Sequence, residues 1–486
     1  MTGLGKQTVV LTAARLANYG LMLISPIILV RLLSVEQFGL YRQFIVYASF
    51  LQLVAAFSFS ESLLYFIPSR ARSVWRVVGQ TNLLTACSSL AVVVALSVAD
   101  FVGHGTVVGS DLLPLVAYVL LFVNVDFWEY YFLATHRPLA VFAYTAGRLS
   151  ARMAVVIIIA YVTGDVRTII WTLVALEGTR LVVASVSWRL LDRSRAEPKL
   201  HGMWRDQLRY CLPAGTGMLL YMLNRNLGNI AVVKVLGPVS LAHYTIGTYA
   251  EYVYLALGNS IAAVVLPEMV RRNAQAAGTG LLLWQKTAVV TCILLLPTAL
   301  LLARYATPLI VTVFGKNYLP AAAVMQIHML FLVRACFDFS PAVRAINKTR
   351  ALVFSNLAGL VANACALAVL LPLAGIRGAV VALVFSSVVE AVALGIQSAR
   401  FYAVPLVSFI PWKNMGKVAG AAILAGGILI SPAWERYWGL PGIVSACLLY
   451  LAAFAVLLRL AKVPEAEFLL RRVRNSVRSI LPVAEV

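Results

Sequence analysis

The chain alternates long apolar runs with short polar stretches from end to end. A run of about 20 apolar residues is the length of a helix that crosses a bilayer. On that measure the sequence predicts about fourteen membrane-spanning helices, near 8–33, 40–66, 78–99, 112–135, 139–162, 167–191, 207–234, 240–266, 281–303, 320–345, 350–372, 378–399, 415–431 and 441–461. The first two, the seventh and the eighth are long, as tilted or bent helices are. The expected fold class is an all-α polytopic membrane protein.

The polar interruptions are not random. Val125-Asp126-Phe127 breaks the fourth run, and Phe337-Asp338-Phe339 breaks the tenth, 212 residues later. A carboxylate inside hydrocarbon is costly, so its recurrence at matching places points to an internal duplication. Other pairs agree. Val30-Arg31-Leu32-Leu33 followed by Tyr41 echoes Val233-Lys234-Val235-Leu236 followed by Tyr244, and Pro68 with Arg70 and Arg72 echoes Pro267 with Arg271 and Arg272. Gly147 matches Gly359, and Glu177 matches Glu390. Six spans return the chain to the side where it began, so the two lobes are expected to be parallel repeats. The expected domains are an N-lobe at 1–192 (spans 1–6), a linker at 193–206 and a C-lobe at 207–400 (spans 7–12). Two extra helices at 401–461 and a basic tail at 462–486 follow.

Composition sharpens this picture. Residues are 61% hydrophobic and 12% charged, too apolar for a soluble domain to hide. The net charge of +21 could suggest nucleic acid, but its distribution argues otherwise. With a cytoplasmic N-terminus, the cytoplasmic loops hold Arg70, Arg72 and Arg76, then Arg193, Arg195 and Lys199, then Arg271 and Arg272, and finally Lys413 and Lys417. The opposite loops hold little beyond Arg167, Arg304, Lys316, Arg377 and Arg436. This asymmetry is the positive-inside rule, and it places both termini in the cytoplasm. The tail sets Phe468, Leu469 and Val473 opposite Arg471, Arg474 and Arg478, which fits either a helix on anionic lipid or a solvated basic tail. No cleavable signal peptide is expected. Six scattered cysteines have no metal-ligand spacing, so no metal site and no cofactor is expected.

Charged residues within the spans are the candidates for function. Arg15 shares a polar stripe on the first span with Thr8, Thr12, Asn18 and Ser25. A diphosphate suits its guanidinium fork, and snorkelling to the interface is the alternative. Arg225 lies between Asn224 and Asn226 in the seventh span, either as a polar ligand site or as interhelical hydrogen bonding. On the local repeat interval Arg225 aligns with Met22, so the two arginines would be staggered by about 10 Å, as two stations for one headgroup. Arg148 and Arg152 face counter-charges at Asp126, Glu129 and Glu177, and Arg334 has Asp338 and Glu390. These are read as ion pairs within each lobe; the alternative is that one carboxylate binds Na⁺ or H⁺ and couples transport to an ion gradient. Tyr249, Glu251 and Tyr252 give the eighth span a polar, aromatic character that would suit sugar rings.

The segment from Leu4 to Phe44, with Arg31-Leu32-Leu33 and Phe38-Gly39-Leu40-Tyr41, resembles the opening of Wzx-type polysaccharide flippases. These belong to the MATE-like multidrug/oligosaccharidyl-lipid/polysaccharide exporter superfamily. The stretches Ile310–Ala322 and Gly375–Ala379 agree with it, whereas the second-lobe turn Gly237–Tyr244 lacks the glycine before tyrosine. The resemblance implies two lobes around a central cavity lined by spans 1, 2, 7 and 8, open alternately to the two sides. It implies a polyprenyl-pyrophosphate-linked oligosaccharide as cargo, membrane lipid as surroundings, and a polymerase and glycosyltransferases as pathway partners. The expected function is therefore a flippase of the bacterial inner membrane that serves O-antigen, capsule or exopolysaccharide synthesis. A MATE-type cation–drug antiporter and a lipid II flippase are the alternatives. An enzyme is not expected, because the extracytoplasmic loops are short and no nucleotide-binding glycine loop occurs.

Overall fold

The computed structural model describes residues 24–69, 73–104, 111–135, 137–191, 202–251, 261, 265–273, 275, 278–431, 434 and 439–467. Every regular element in them is helical. Ten helical segments are long and apolar enough to cross a membrane. Two of these, Met203–Gly247 and Arg350–Phe401, each hold two helices, broken at Gly237 (φ 82°, ψ 177°) and Gly375 (φ 57°, ψ −136°). With residues 24–32 and the helix Trp412–Gly426, fourteen spans are accounted for. The chain is a multi-pass membrane protein.

Packing divides it into two compact units, Met1–Thr245 and Ile246–Val486. This division lies beyond the linker at 193–206, because most of Met203–Gly247 packs with the first unit. The repeat is a division of sequence and the units are a division of contacts, so the two need not coincide.

In the first unit the helices are α1 (24–32), α2 (Val35–Ala56), α3 (Phe59–Ser69), α4 (Val74–Val102), α5 (Leu112–Val123), α6 (Phe127–Ala134), α7 (Pro138–Thr163) and α8 (Val166–Leu191). They are followed by α9 (Met203–Gly247). Ser34 caps α2, its hydroxyl accepting the Gln37 N–H at 3.2 Å. The span formed by α2 and α3 bends at Phe57 and Ser58, both with positive φ. The fourth span, expected as one helix, breaks between α5 and α6 at Asn124–Asp126. The α9 helix runs antiparallel to α2 and α3. Gly39 meets the Pro238 backbone, Phe57 meets Gly215, the Cys211 thiol lies 3.7 Å from the Ser58 carbonyl, and the Gln207 amide donates to Ser62 at 2.8 Å. Close approach through small residues is how helices pack where lipid supplies no hydrophobic drive.

The second unit comprises α10 (265–273), α11 (Thr279–Arg304), α12 (Ala306–Val313), α13 (Ala321–Ala335), α14 (Ser340–Ala345), α15 (Arg350–Phe401), α16 (Leu406–Phe409), α17 (Trp412–Gly426) and α18 (Gly439–Leu460). Its core is an aromatic stack. Trp284 lies 5.0 Å from Phe339 and 4.8 Å from Phe409, centroid to centroid. The tenth span is also discontinuous, α13 ending before Asp338 and α14 starting after it, with Pro341 near the start of α14. The two extra helices belong here, because α17 packs on both α11 and α18.

Candidate functional site

The break between α5 and α6 holds a dense polar cluster inside the first unit. Arg148 on α7 reaches Asp126 at 2.6 Å and Glu129 at 3.3 Å. Arg180 on α8 pairs with Glu177 and donates to the Tyr144 hydroxyl at 2.8 Å. Tyr144 in turn donates to the Val125 carbonyl at 3.2 Å, in the break itself. Arg152 lies over the Tyr118 ring, 5.8 Å from its centroid. Three guanidinium groups thus meet three carboxylates, and the cluster is neutral as a whole. The Arg148 and Arg180 side chains are mostly buried, at 17% and 14% exposure, and their partners range from 2% to 27%. Charges this far from water hold only when paired.

The second unit does not repeat this arrangement. Arg334 donates through Nε to the Ser387 carbonyl at 2.7 Å and approaches Glu390 at 3.8 Å, both on α15. It does not pair with Asp338, as the sequence spacing had suggested, because the helix ends between them. The Asp338 carboxylate instead accepts the Ser340 N–H at 2.9 Å, and its carbonyl accepts the Trp284 indole N–H at 2.8 Å.

The expected cargo contacts fall in different places. Arg15 and Asn18 lie outside the described residues, as does Tyr252. Asn224 is buried and Arg225 half-buried on α9, with the buried Tyr244 as an electrostatic neighbour of Arg225. Asn226 turns back on its own helix, donating to the Met222 carbonyl at 3.0 Å. Tyr249 belongs to the second unit, buried and edge-on to Phe314 at 5.7 Å, while Glu251 is half-buried nearby. Packing therefore claims part of the Tyr249 ring.

One residue escaped the sequence reading. Arg42, on α2 about 10 Å beyond its start, has a buried Nε with no hydrogen-bond partner among the described residues. Buried donors are almost always satisfied, so this nitrogen marks a candidate contact. The available signal was its place in Tyr41-Arg42-Gln43-Phe44, inside the stretch that carries the family resemblance. On the neighbouring α9, exposed Lys234 lies 5.9 Å from the Tyr47 ring centroid of α2. With Arg225, these residues give α2 and α9 a basic character that the neutral α5–α8 cluster lacks. Among the described residues no group of three or more His, Cys, Asp or Glu side chains could hold a metal ion.

Comparison with known proteins gives this arrangement a lineage. Residues 28–323 match the family model described as polysaccharide biosynthesis protein. No curated protein matches the chain. Among solved structures, the lipid II flippase MurJ in an inward closed conformation aligns with a TM-score of 0.70 at 14% identity, covering 93% of this chain and 99% of that one. An inward-facing multidrug resistance MATE family transporter of the MOP superfamily aligns at 0.54 and 14%, covering 79% and 94%. A MOP superfamily transporter from Pyrococcus furiosus aligns at 0.53 and 12%, covering 81% and 94%. At such identities the likeness is one of fold. The family match spans more than half of the chain and agrees with the resemblance to Wzx-type flippases. The chain thus belongs to the polysaccharide biosynthesis protein family, on the fold shared by MurJ and the MATE transporters.

Proposed function

We propose that the protein is a flippase that moves a polyprenyl-pyrophosphate-linked oligosaccharide from the cytoplasmic to the periplasmic leaflet of the bacterial inner membrane by alternating access. The observation that carries this reading is Arg42. Its buried Nε has no hydrogen-bond partner among the described residues, in a unit whose α5–α8 cluster neutralises its own charges. A pyrophosphate supplies the acceptor oxygens that such a donor lacks. Arg225 and Lys234 on α9 would add further cationic contacts, and Arg15 is proposed to contribute from the first span. The polyprenyl tail can stay in lipid while the headgroup crosses. Moving an anion outward across an inside-negative membrane is downhill by about 2.3 kcal/mol per charge per 100 mV. On this account the protein positions and releases the cargo without making or breaking a covalent bond. Its surroundings are membrane lipid and the polymerase and glycosyltransferases of the same pathway.

Lipid II transport differs from this reading only in the cargo. A cation–drug antiporter needs an acidic central site; Asp126 is already neutralised by Arg148, which leaves Asp338 as the carboxylate that such a reading would rest on. The test is complementation of a strain that lacks the gene. Arg42→Ala and Arg225→Ala, present in the membrane at wild-type level, should each cut surface polysaccharide at least tenfold, with Arg42→Lys intermediate. Wild-type polysaccharide in the double variant would sink the proposal.

A further inference from the structure

The carboxyl end of α15 closes into a rigid corner. Ala403 takes left-handed backbone (φ 54°), so that the Val404 N–H reaches the Ala399 carbonyl at 3.0 Å and the Ala403 N–H reaches the Arg400 carbonyl at 3.2 Å. This is the bond pattern of a Schellman helix end, and it turns the chain sharply before Pro405 leads into α16. Both sides of the turn are pinned. The Tyr402 hydroxyl donates to the Ala342 carbonyl at 3.1 Å, and the buried Phe409 seals α16 into the stack of Trp284 and Phe339.

Between the pinned ends lies an open groove of about 330 Å³. Ile396, Val404, Pro405 and Leu406 line it with hydrocarbon, and Arg400 is the one charged side chain among the described residues around it. Arg400 is exposed, and its guanidinium makes no hydrogen bond or ion pair among the described residues. No acid stands near it in the sequence either. From Phe339 to Trp434 the only acidic residue is Glu390, which Arg334 already approaches at 3.8 Å. Cations gather at this end instead: Lys348 lies 6.0 Å from the Phe401 ring centroid, and the exposed Lys413 follows directly after α16. Phe401 and Trp412 are exposed beside them, and aromatic rings at span ends mark the depth of lipid headgroups.

We infer that this corner binds one anionic phospholipid, its phosphate on Arg400 and the upper part of one acyl chain over Ile396, Val404 and Leu406. A guanidinium fork matches phosphate oxygens. The apolar lining calls for hydrocarbon attached to that phosphate, which a water-soluble anion lacks. A zwitterionic lipid would fill the groove and leave the excess positive charge at this end unbalanced. By the positive-inside rule this end faces the cytoplasm, where basic pockets beside spans take acidic headgroups. The binding does not depend on the transport reading.

Binding is therefore read on the purified full-length protein in detergent, without any lipid-linked substrate. The protein is titrated with phosphatidylglycerol and with phosphatidylcholine of the same acyl chains, and bound lipid is counted by native mass spectrometry. Wild type should hold one phosphatidylglycerol about fivefold more tightly than phosphatidylcholine, the factor that one cation near the surface supplies. Arg400→Gln should bring the two lipids to equal affinity, while Arg400→Lys should keep most of the preference. Ile396→Trp, which fills the groove, should weaken both lipids. Arg167→Gln, at an exposed arginine beyond the opposite end of a span, should change neither. Glycerol phosphate should not displace phosphatidylglycerol, because it carries no chain. Equal retention of the two lipids by wild type, or an undiminished preference in Arg400→Gln, overturns the site. Displacement by glycerol phosphate also overturns it, by showing a site for free phosphate. Arg400 is exposed, so Arg400→Gln should melt with wild type; if it does not, Ile396→Trp and the glycerol phosphate competition decide.

Discussion

Asp126 and Asp338 read identically along the chain and behave differently in space. Each announces itself as a carboxylate in an apolar run, and each falls where its helix breaks. The spacing offers Arg148 to Asp126 and Arg334 to Asp338, and of these two pairs only the first forms among the described residues. Arg148 meets Asp126 because α7 turns that face toward the break, whereas Arg334 turns toward α15, and helix rotation leaves no trace in a uniformly apolar run. Arg42 was overlooked for a related reason. It lies within reach of the helix start, where arginine ordinarily snorkels to the interface, and only its buried, unsatisfied Nε distinguishes it. The paired cluster makes a firm prediction. Arg148→Met removes the guanidinium between Asp126 and Glu129 and leaves two half-buried carboxylates together. Breaking a buried pair from one side costs on the order of 3 kcal/mol, so the variant should melt well below wild type in detergent. Adding Asp126→Asn to Arg148→Met should recover part of the loss, because one uncompensated charge is then gone. Equal melting temperatures for wild type and Arg148→Met would mean that the cluster is not holding α7 to the break.

At the scale of the element, glycine breaks were visible in the sequence and bends inside apolar runs were not. The boundaries between spans 7 and 8 and between spans 11 and 12 were expected around Gly237 and Gly375, and both glycines have positive φ there. The kink at Phe57–Ser58 carries no glycine or proline to mark it, although the length of that span had suggested bending. Gly237 separates backbone strain from crowding. A Cβ added there meets nothing within 4 Å, yet its φ and ψ lie in a region essentially reserved for glycine. Gly237→Ala should therefore destabilise the protein by about 1–3 kcal/mol without any clash. Gly416→Ala, also in open space but inside α17, should raise stability by up to about 1 kcal/mol. Thermal unfolding of the two variants side by side is the check, and shifts of the same sign would refute the backbone argument. Asp165, at the mouth of α8, adds a pH-dependent contact. Its carboxylate accepts the Thr168 hydroxyl at 2.8 Å and the Thr168 N–H at 3.0 Å, which hold its pKa below the usual value. A lowered pKa gives stability that is fully present above the ordinary carboxylate range and is lost as pH falls through the depressed value. Asp165→Ala should cost about 1 kcal/mol at pH 7 and progressively less in acid, measured by melting across a pH series.

For the whole molecule, the charge pattern sets an orientation that can be tested loop by loop. Glu268, after the eighth span, is held by Arg271 at 2.8 Å and Arg272 at 2.8 Å, with its pKa lowered to about 2 by their hydrogen bonds. Those two arginines therefore arrive with a partner that stays ionised at neutral pH, and the net charge of this loop is smaller than its basic residues suggest. The positive-inside rule responds to Lys and Arg near span ends and very little to acids. The loop should still face the cytoplasm, together with Lys413 and Lys417 at the start of α17. The opposite face should carry the turn at Gly164–Asp165 and the break at Gly375, which lie one span away from basic loops. Single-cysteine labelling decides this. A cysteine-free version carrying one cysteine at Asp165, Arg377, Arg271 or Lys413 would be treated in intact cells with a reagent that does not cross the inner membrane. Labelling is expected at Asp165→Cys and Arg377→Cys, and only after permeabilisation at Arg271→Cys and Lys413→Cys. If the pattern were reversed, the loops rich in Lys and Arg would face the periplasm and the orientation drawn from the positive-inside rule would fail. The membrane potential would still favour outward movement of the anionic headgroup by ~2.3 kcal/mol per charge per 100 mV, because that work depends on the direction the cargo moves and not on the orientation of the fold.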